Sequence, residues 1–199
     1  MANIPEHESP DDHQPGTSES DATHTNSGTE PIEPLPSSEM FLAAFAGVRP
    51  IIAGDILDPA FDLVACQREE RLAEEILTDE TAGLEELRAA GRTLAASRSD
   101  IVMLMTVIDE AVRARLARSH RTAPTATLAM TARRSGPRMV VHTESIGDIA
   151  ARMAELWELL DAADDDVDPP EAVLLLELRE GYDHLAAEIE AGRRIPAGL

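Results

Sequence analysis

The sequence predicts an all-α protein: an antiparallel helical bundle behind a disordered acidic N-terminal tail. Three observations carry that expectation. Of 199 residues, 43% are hydrophobic but only 3% are aromatic. The core must therefore be built from Ala, Leu, Ile and Val, which suits packed helices better than a sandwich of aromatic and β-branched residues. Apolar residues recur at alternating intervals of three and four along three separate stretches, the period of a helix with one buried face. Residues 1–36, by contrast, are rich in Pro, Ser, Thr, Asp and Glu, contain no Arg and show no apolar period. Such a segment cannot bury enough surface to offset its ordering entropy. Residues 1–36 are thus expected to be a tail and 37–199 a single helical domain.

Within that domain, Ser37 or Ser38 can cap a short helix through Phe41, Leu42 and Phe45 that ends near Gly47. Arg49-Pro50 then breaks it. Asp58-Pro59 reads as a cap with Pro in the first turn, opening a helix over 59–77 with Phe61, Val64, Leu72 and Ile76 as apolar positions. Thr78 or Asp79 starts the longest helix, whose stripe is Leu84, Leu87, Leu94, Ile101, Met105, Ile108 and Val112. Gly91 and Arg98 stand on the same stripe. Gly91 permits close helix approach, and Arg98 is expected near the edge, its charge kept in water.

From about 119 to 143 the chain reads as an Arg-rich loop, with Met139-Val140-Val141 extended. Thr143 then caps a helix with the stripe Ile146, Ile149, Met153, Leu156 and Leu160, which the acidic turn at 164–168 stops. Trp157 is expected at a helix junction or an oligomer contact. The last helix, over 170–191, carries Leu175, Leu178, Tyr182, Leu185 and Ile189 on one face and ends at Gly192.

The formal net charge is −21, from 38 acids and 17 bases, and every base is Arg. That balance repels phosphate over most of the surface, so neither general nucleic-acid binding nor adhesion to anionic membranes is expected. The absence of Lys reads as the codon bias of a GC-rich genome rather than as chemistry. One cysteine, Cys66, permits no intrachain disulfide; among Val64, Ala65 and Gln67 it reads as a partly buried small residue, not a nucleophile. The N-terminus lacks a basic run followed by an apolar stretch, and no apolar run approaches the roughly 18 residues of a membrane span. A cytoplasmic location is expected.

The segment Thr143-Glu144-Ser145-Ile146-Gly147-Asp148-Ile149-Ala150-Ala151-Arg152-Met153 resembles a signature of the DUF4254 proteins, an uncharacterised bacterial family. Their pattern there is roughly Ser-Glu-Thr-Pro-Gly, an apolar residue, an Arg and a run of Leu and Ile. Glu144, Gly147, Ile149, Arg152 and Met153 fit it, and Ile146 replaces the Pro. A weaker likeness lies at Phe61-Asp62-Leu63 with Glu69-Glu70-Arg71, where the family's Trp and His are absent. A third is the closing helix through Glu188-Ile189-Glu190-Ala191-Gly192-Arg193-Arg194. The resemblance spans about residues 55–195. It implies a helical protein of the kind found beside glycosyltransferases in bacterial glycan clusters, and no established reaction.

Glu144, Asp148 and Arg152, spaced by four, would share one helix face. They form either a polar site, with Glu144 and the neighbouring His142 as candidate catalytic groups, or an N-terminal charge ladder that favours the helix dipole. Between Ala111 and Thr143 there are seven Arg and no acid. Arg133, Arg134 and Arg138 are the anion-binding candidates in that stretch, since a guanidinium fork pairs two oxygens of phosphate or carboxylate. Three readings stand for them: neutralising the chain's own turn at 164–168, docking an acidic partner, or holding a phosphorylated ligand. No Gly-rich phosphate loop supports the last. His7, His13 and His24 lie in the tail with nothing to hold them in place. His184 stands four residues after Glu180, a spacing of surface pairs. No His-Glu-x-x-His or Glu-x-x-His occurs, so no metal and no cofactor is expected.

Two functions follow. The first is a non-catalytic helical accessory or interaction protein with a protein partner or a second copy, linked through the resemblance to glycan or secondary-metabolite glycosylation. The second is an enzyme or binding protein for a phosphorylated sugar or nucleotide sugar.

Overall fold

The computed structural model describes residues 34–49, 51–122, 140–141, 143–163, 169–195 and 197. They form a helical bundle of five helices: α1 (Ser38–Phe45), α2 (Gly54–Thr78), α3 (Leu84–Thr122), α4 (Ile146–Ala162) and α5 (Pro170–Glu190). Two residues before α4, β1 (Val140–Val141), pair in parallel with two after α5, β2 (Arg194–Ile195). Residues 1–33, most of the expected tail, lie outside the described residues. The folded part begins slightly earlier than Ser37, because Leu35 and Pro36 are buried.

Each helix has a local cause. Ser37 caps α1, its side chain accepting from the Met40 N–H, and Gly47 at φ 80° turns the chain out of it. α2 starts at Gly54, five residues before the expected start, and Pro59 lies inside it. The Asp58-Pro59 pair is therefore not a cap. A proline this near the N-terminus removes only one donor, so burial of Ile56, Leu57 and Ala60 carries the first turn through it.

α3 starts at Leu84, not at Thr78 or Asp79. The Asp79 carboxylate instead accepts from the N–H and hydroxyl of Thr81, forming a turn, and these bonds hold its carboxyl below the usual carboxylate range. The α3 seam is also displaced from the expected stripe. Ala90, Ser97, Ile101, Leu104, Ile108, Val112 and Arg115 are buried, while Leu84 and Gly91 are exposed. Small side chains at Ala73, Ala90 and Ser97 bring α2 and α3 together in the distal half, and small residues leave no hydrophobic signal in a sequence pattern. Arg98 does lie at the edge, as expected, 57% exposed.

α4 is capped by Ser145 rather than Thr143, through a full capping box with Asp148. Its buried face is Ile146, Ile149, Ala150, Met153 and Ala154. α5 follows the expected stripe closely, with Leu175, Tyr182, Leu185 and Ile189 buried and Gly192 ending it at φ 66°.

The core forms where α1, the proximal half of α2, the C-terminal half of α3, α4 and α5 meet. Phe41 meets Tyr182 edge-on at 5.4 Å, and Phe45 lies 6.3 Å from Trp157, which sits at the junction of α1 and α4. Carboxylates of α5 fasten the entering chain. Asp183 accepts from the Ser38 amide and hydroxyl, Glu190 from the Leu35 amide, and the Tyr182 hydroxyl donates to the Pro36 carbonyl at 2.6 Å. At about 58 Å, α3 is far longer than α4 at about 26 Å. The distal α2–α3 hairpin therefore projects beyond the core, and its buried Ala73 and Ala90 lie outside the core cluster.

Candidate functional site

Of the residues nominated from sequence, the structure brings three together at the start of α4. Glu144 precedes the helix and accepts from Arg152 at 2.8 Å; both side chains are at least 40% exposed. Asp148 belongs to the cap. Its N–H donates to Ser145 Oγ at 3.0 Å, and its carboxylate accepts the Ser145 N–H at 2.9 Å. The ladder is thus a cap beside a surface ion pair, and its other signature residues pack: Ile149 and Met153 are buried, and Gly147 lies against the Met105 backbone. His142, Arg133, Arg134 and Arg138 lie outside the described residues, as does the turn at 164–168.

The described cluster richest in buried charge was not nominated. Glu158 of α4 is 2% exposed. It accepts from Arg68 Nε at 3.0 and 3.1 Å and from Arg71 Nη2 at 3.0 Å, and Arg68 also reaches Asp161 at 2.9 Å. Arg71 further pairs with Glu75, and its Nε is buried without an acceptor. Hydrogen bonding to Glu158 pushes both guanidiniums above their ordinary pKa. Nearby, Arg98 bridges α3 to Glu70 and Glu74 of α2 at 2.7 and 2.8 Å. A second buried charge, Arg115, pairs with Asp55 and donates to the Pro34 carbonyl, tying α3 to α2 and to the entering chain.

Helix geometry opens a groove beside Glu158. α4 begins against α3, where Gly147 donates to Asp109, and ends over α2, where Arg68 and Arg71 hold Glu158. It crosses the hairpin obliquely, leaving a wedge of about 530 Å³ between its C-terminal half and α3. The floor is Gln67, Glu70, Arg71 and Glu74; the walls are Arg98, Ile101 and Val102 on one side and Glu155, Glu158 and Leu159 on the other. Four carboxylates line it against two guanidiniums. Glu158 is held by Arg68 and Arg71, and Glu70 and Glu74 by Arg98. Glu155 therefore supplies the acid in excess, which favours cationic groups over phosphate.

Other candidates are accounted for by packing. Cys66 is half-buried, and burial first, then Asp100, Glu69 and Asp62, push its thiol up. This is the opposite of an activated nucleophile. Glu180 and His184 lie exposed on α5. Among the described residues no cluster of three or more His, Cys, Asp or Glu is placed to hold a metal ion, and no helix is long and apolar enough to cross a membrane. A sequence pattern could not single out Glu158, because it reads as one more acid on an amphipathic helix. The only hint is that it stands four residues after Ala154 and eight after Ala150, on the buried face.

Compared with known proteins, the chain matches no family model, no curated protein and no solved structure.

Proposed function

We propose that the protein is a non-catalytic helical interaction protein that holds a partner on its projecting α2–α3 hairpin. One observation carries this reading: the hairpin leaves the core as two helices with large apolar side chains still in water. Leu72, Ile76 and Leu84 are 44%, 42% and 63% exposed, and Val102 at the hairpin's root is 61% exposed. Apolar rows of this kind, edged by charge, are the surface of a partner site. The buried charges support the same reading, since Glu158 and Arg115 are engaged in ion pairs that fix helices to one another. A phosphorylated-sugar ligand is less well supported, because the groove has more carboxylates than guanidiniums. The link to bacterial glycan assembly rests on the DUF4254-like segment alone. A cytoplasmic location belongs to the same proposal.

The test is reciprocal affinity capture with the full chain from lysate of its native host. A defined partner, recovered in both directions and lost when Leu72 and Leu84 are both changed to Asp, is the expected result. Repeated capture that yields no reproducible partner would refute the reading.

A further inference from the structure

We infer that the wedge between α3 and the C-terminal half of α4, extended along the open face of α3 toward Leu84, takes a basic amphipathic helix of a partner protein. The inference rests on the interaction reading above and names the face and the chemistry of what covers it.

The face is continuous. Leu84, Leu87, Gly91, Leu94, Arg98 and Val102 follow one another at intervals of three and four, so they stand on one side of α3 over about 28 Å, the length of a five-turn helix. At the core end this side lies against α4, through Met105 and Gly147. Toward the tip no described residue of α4 or α5 covers it, because α4 has veered over α2. Leu84 and Val102 are more than 60% exposed, whereas Leu87 and Leu94 are half-buried against the hairpin. Gly91 stands midway, and a Cβ there would meet no atom within 4 Å. A neighbouring helix can therefore come close at that point. The surface continues the α3 side that α4 fills further along, and no described helix fills it here.

Charge selects the occupant. The wedge sets Glu70, Glu74, Glu155 and Glu158 against Arg71 and Arg98. Glu158 is tied to Arg68 and Arg71, and Glu70 and Glu74 share Arg98, so the acid left over is Glu155, exposed at the rim with no ion-pair partner among the described residues. The protein's own N-terminal residues 1–33 carry eight acids and no Arg and would be repelled. A second copy is acidic overall at −21 but also brings seven Arg between Ala111 and Thr143, so its exclusion rests on sedimentation. A helix with Leu or Ala on one face and Arg or Lys flanking it satisfies the apolar row and the excess carboxylate together.

Two helical peptides of about twenty residues and identical composition serve as probes with the full chain. One carries Leu and Ala on a single face flanked by Arg and Lys; the other has the same residues shuffled so that no face forms. Fluorescence anisotropy is expected to show the patterned peptide binding about tenfold more tightly, with affinity falling as salt rises. Val102→Asp and Glu155→Arg should each weaken it about tenfold, while Val173→Asp, on the exposed side of α5, should leave it unchanged. All three sites are exposed, and circular dichroism checks that the variants keep their helices. Equal affinity for the two peptides, no binding, or indifference to Val102→Asp overturns the inference. So does a dimer in sedimentation that Val102→Asp dissociates, since a second copy would then cover the face. Capture of the native partner at full yield by Val102→Asp and Glu155→Arg sinks the groove and leaves the interaction reading standing. A wild-type chain that captures no partner sinks the reading itself.

Discussion

Gly147 donates its backbone N–H to the Asp109 carboxylate at 2.8 Å, joining the first turn of α4 to the flank of α3. A Cβ on Gly147 would lie 2.9 Å from the Met105 Cα and carbonyl carbon, and closer still to the carbonyl oxygen. The two helices touch backbone to backbone, with no flexible side chain available to yield. This contact fixes where α4 starts, and its far end over α2 then decides where the groove opens.

Gly147→Ala is therefore expected to destabilise the fold by about 2–3 kcal/mol, since backbone must shift to admit the methyl. Gly181→Ala serves as the control, because a Cβ there meets nothing within 4 Å; in mid-helix α5 it should stabilise by up to about 1 kcal/mol. Urea denaturation followed by circular dichroism compares the two. Equal stability of Gly147→Ala and wild type would contradict the backbone contact.

Glu158→Ala should cost about 1–3 kcal/mol, the range for losing a charged hydrogen-bond partner. The penalty falls short of that for a fully buried pair because Arg68 is 49% exposed and regains water. Glu158→Ala combined with Arg68→Ala and Arg71→Ala should cost less than the sum of the separate changes. Strict additivity in that cycle would show that the three charges do not act together.

Tyr182 is the only tyrosine, and burial first, then Asp183 and Glu190, push its hydroxyl far above the ordinary value. A raised folded-state pKa favours the protonated phenol. Its contribution to stability is fully present below the unfolded pKa of about 10 and is lost as pH rises past it. Tyrosinate absorbance should thus appear only together with loss of helical signal. A reversible phenolate titration near pH 10 in the folded protein would refute the burial and the bond to Pro36.

The Cys66 thiol is raised by burial and by three carboxylates. A thiol reagent at neutral pH should accordingly react more slowly with the native chain than with the chain in urea, because less thiolate is present. Reaction at the unfolded rate under native conditions would show Cys66 open to solvent.

By itself the sequence determined the helical class, the short capped α1, and the face of α5, where Leu175, Tyr182, Leu185 and Ile189 repeat at helical spacing. It also set Arg98 at an edge and left Trp157 to a helix junction or an oligomer contact, since large apolar and charged side chains announce their preference locally; the structure puts Trp157 at the α1–α4 junction. It could not place the seam of α3, because the closest packing there uses Ala73, Ala90 and Ser97, whose small size matters only when a second helix arrives. Nor could it separate Glu158 and Arg115 from the other charges on amphipathic helices. Burial of a charge is a property of the partner that meets it, and Arg68, Arg71 and Asp55 stand 90, 87 and 60 residues away in the chain. The tertiary structure alone decided the oblique path of α4, and with it the groove, because a crossing of two helices depends on which backbones can touch.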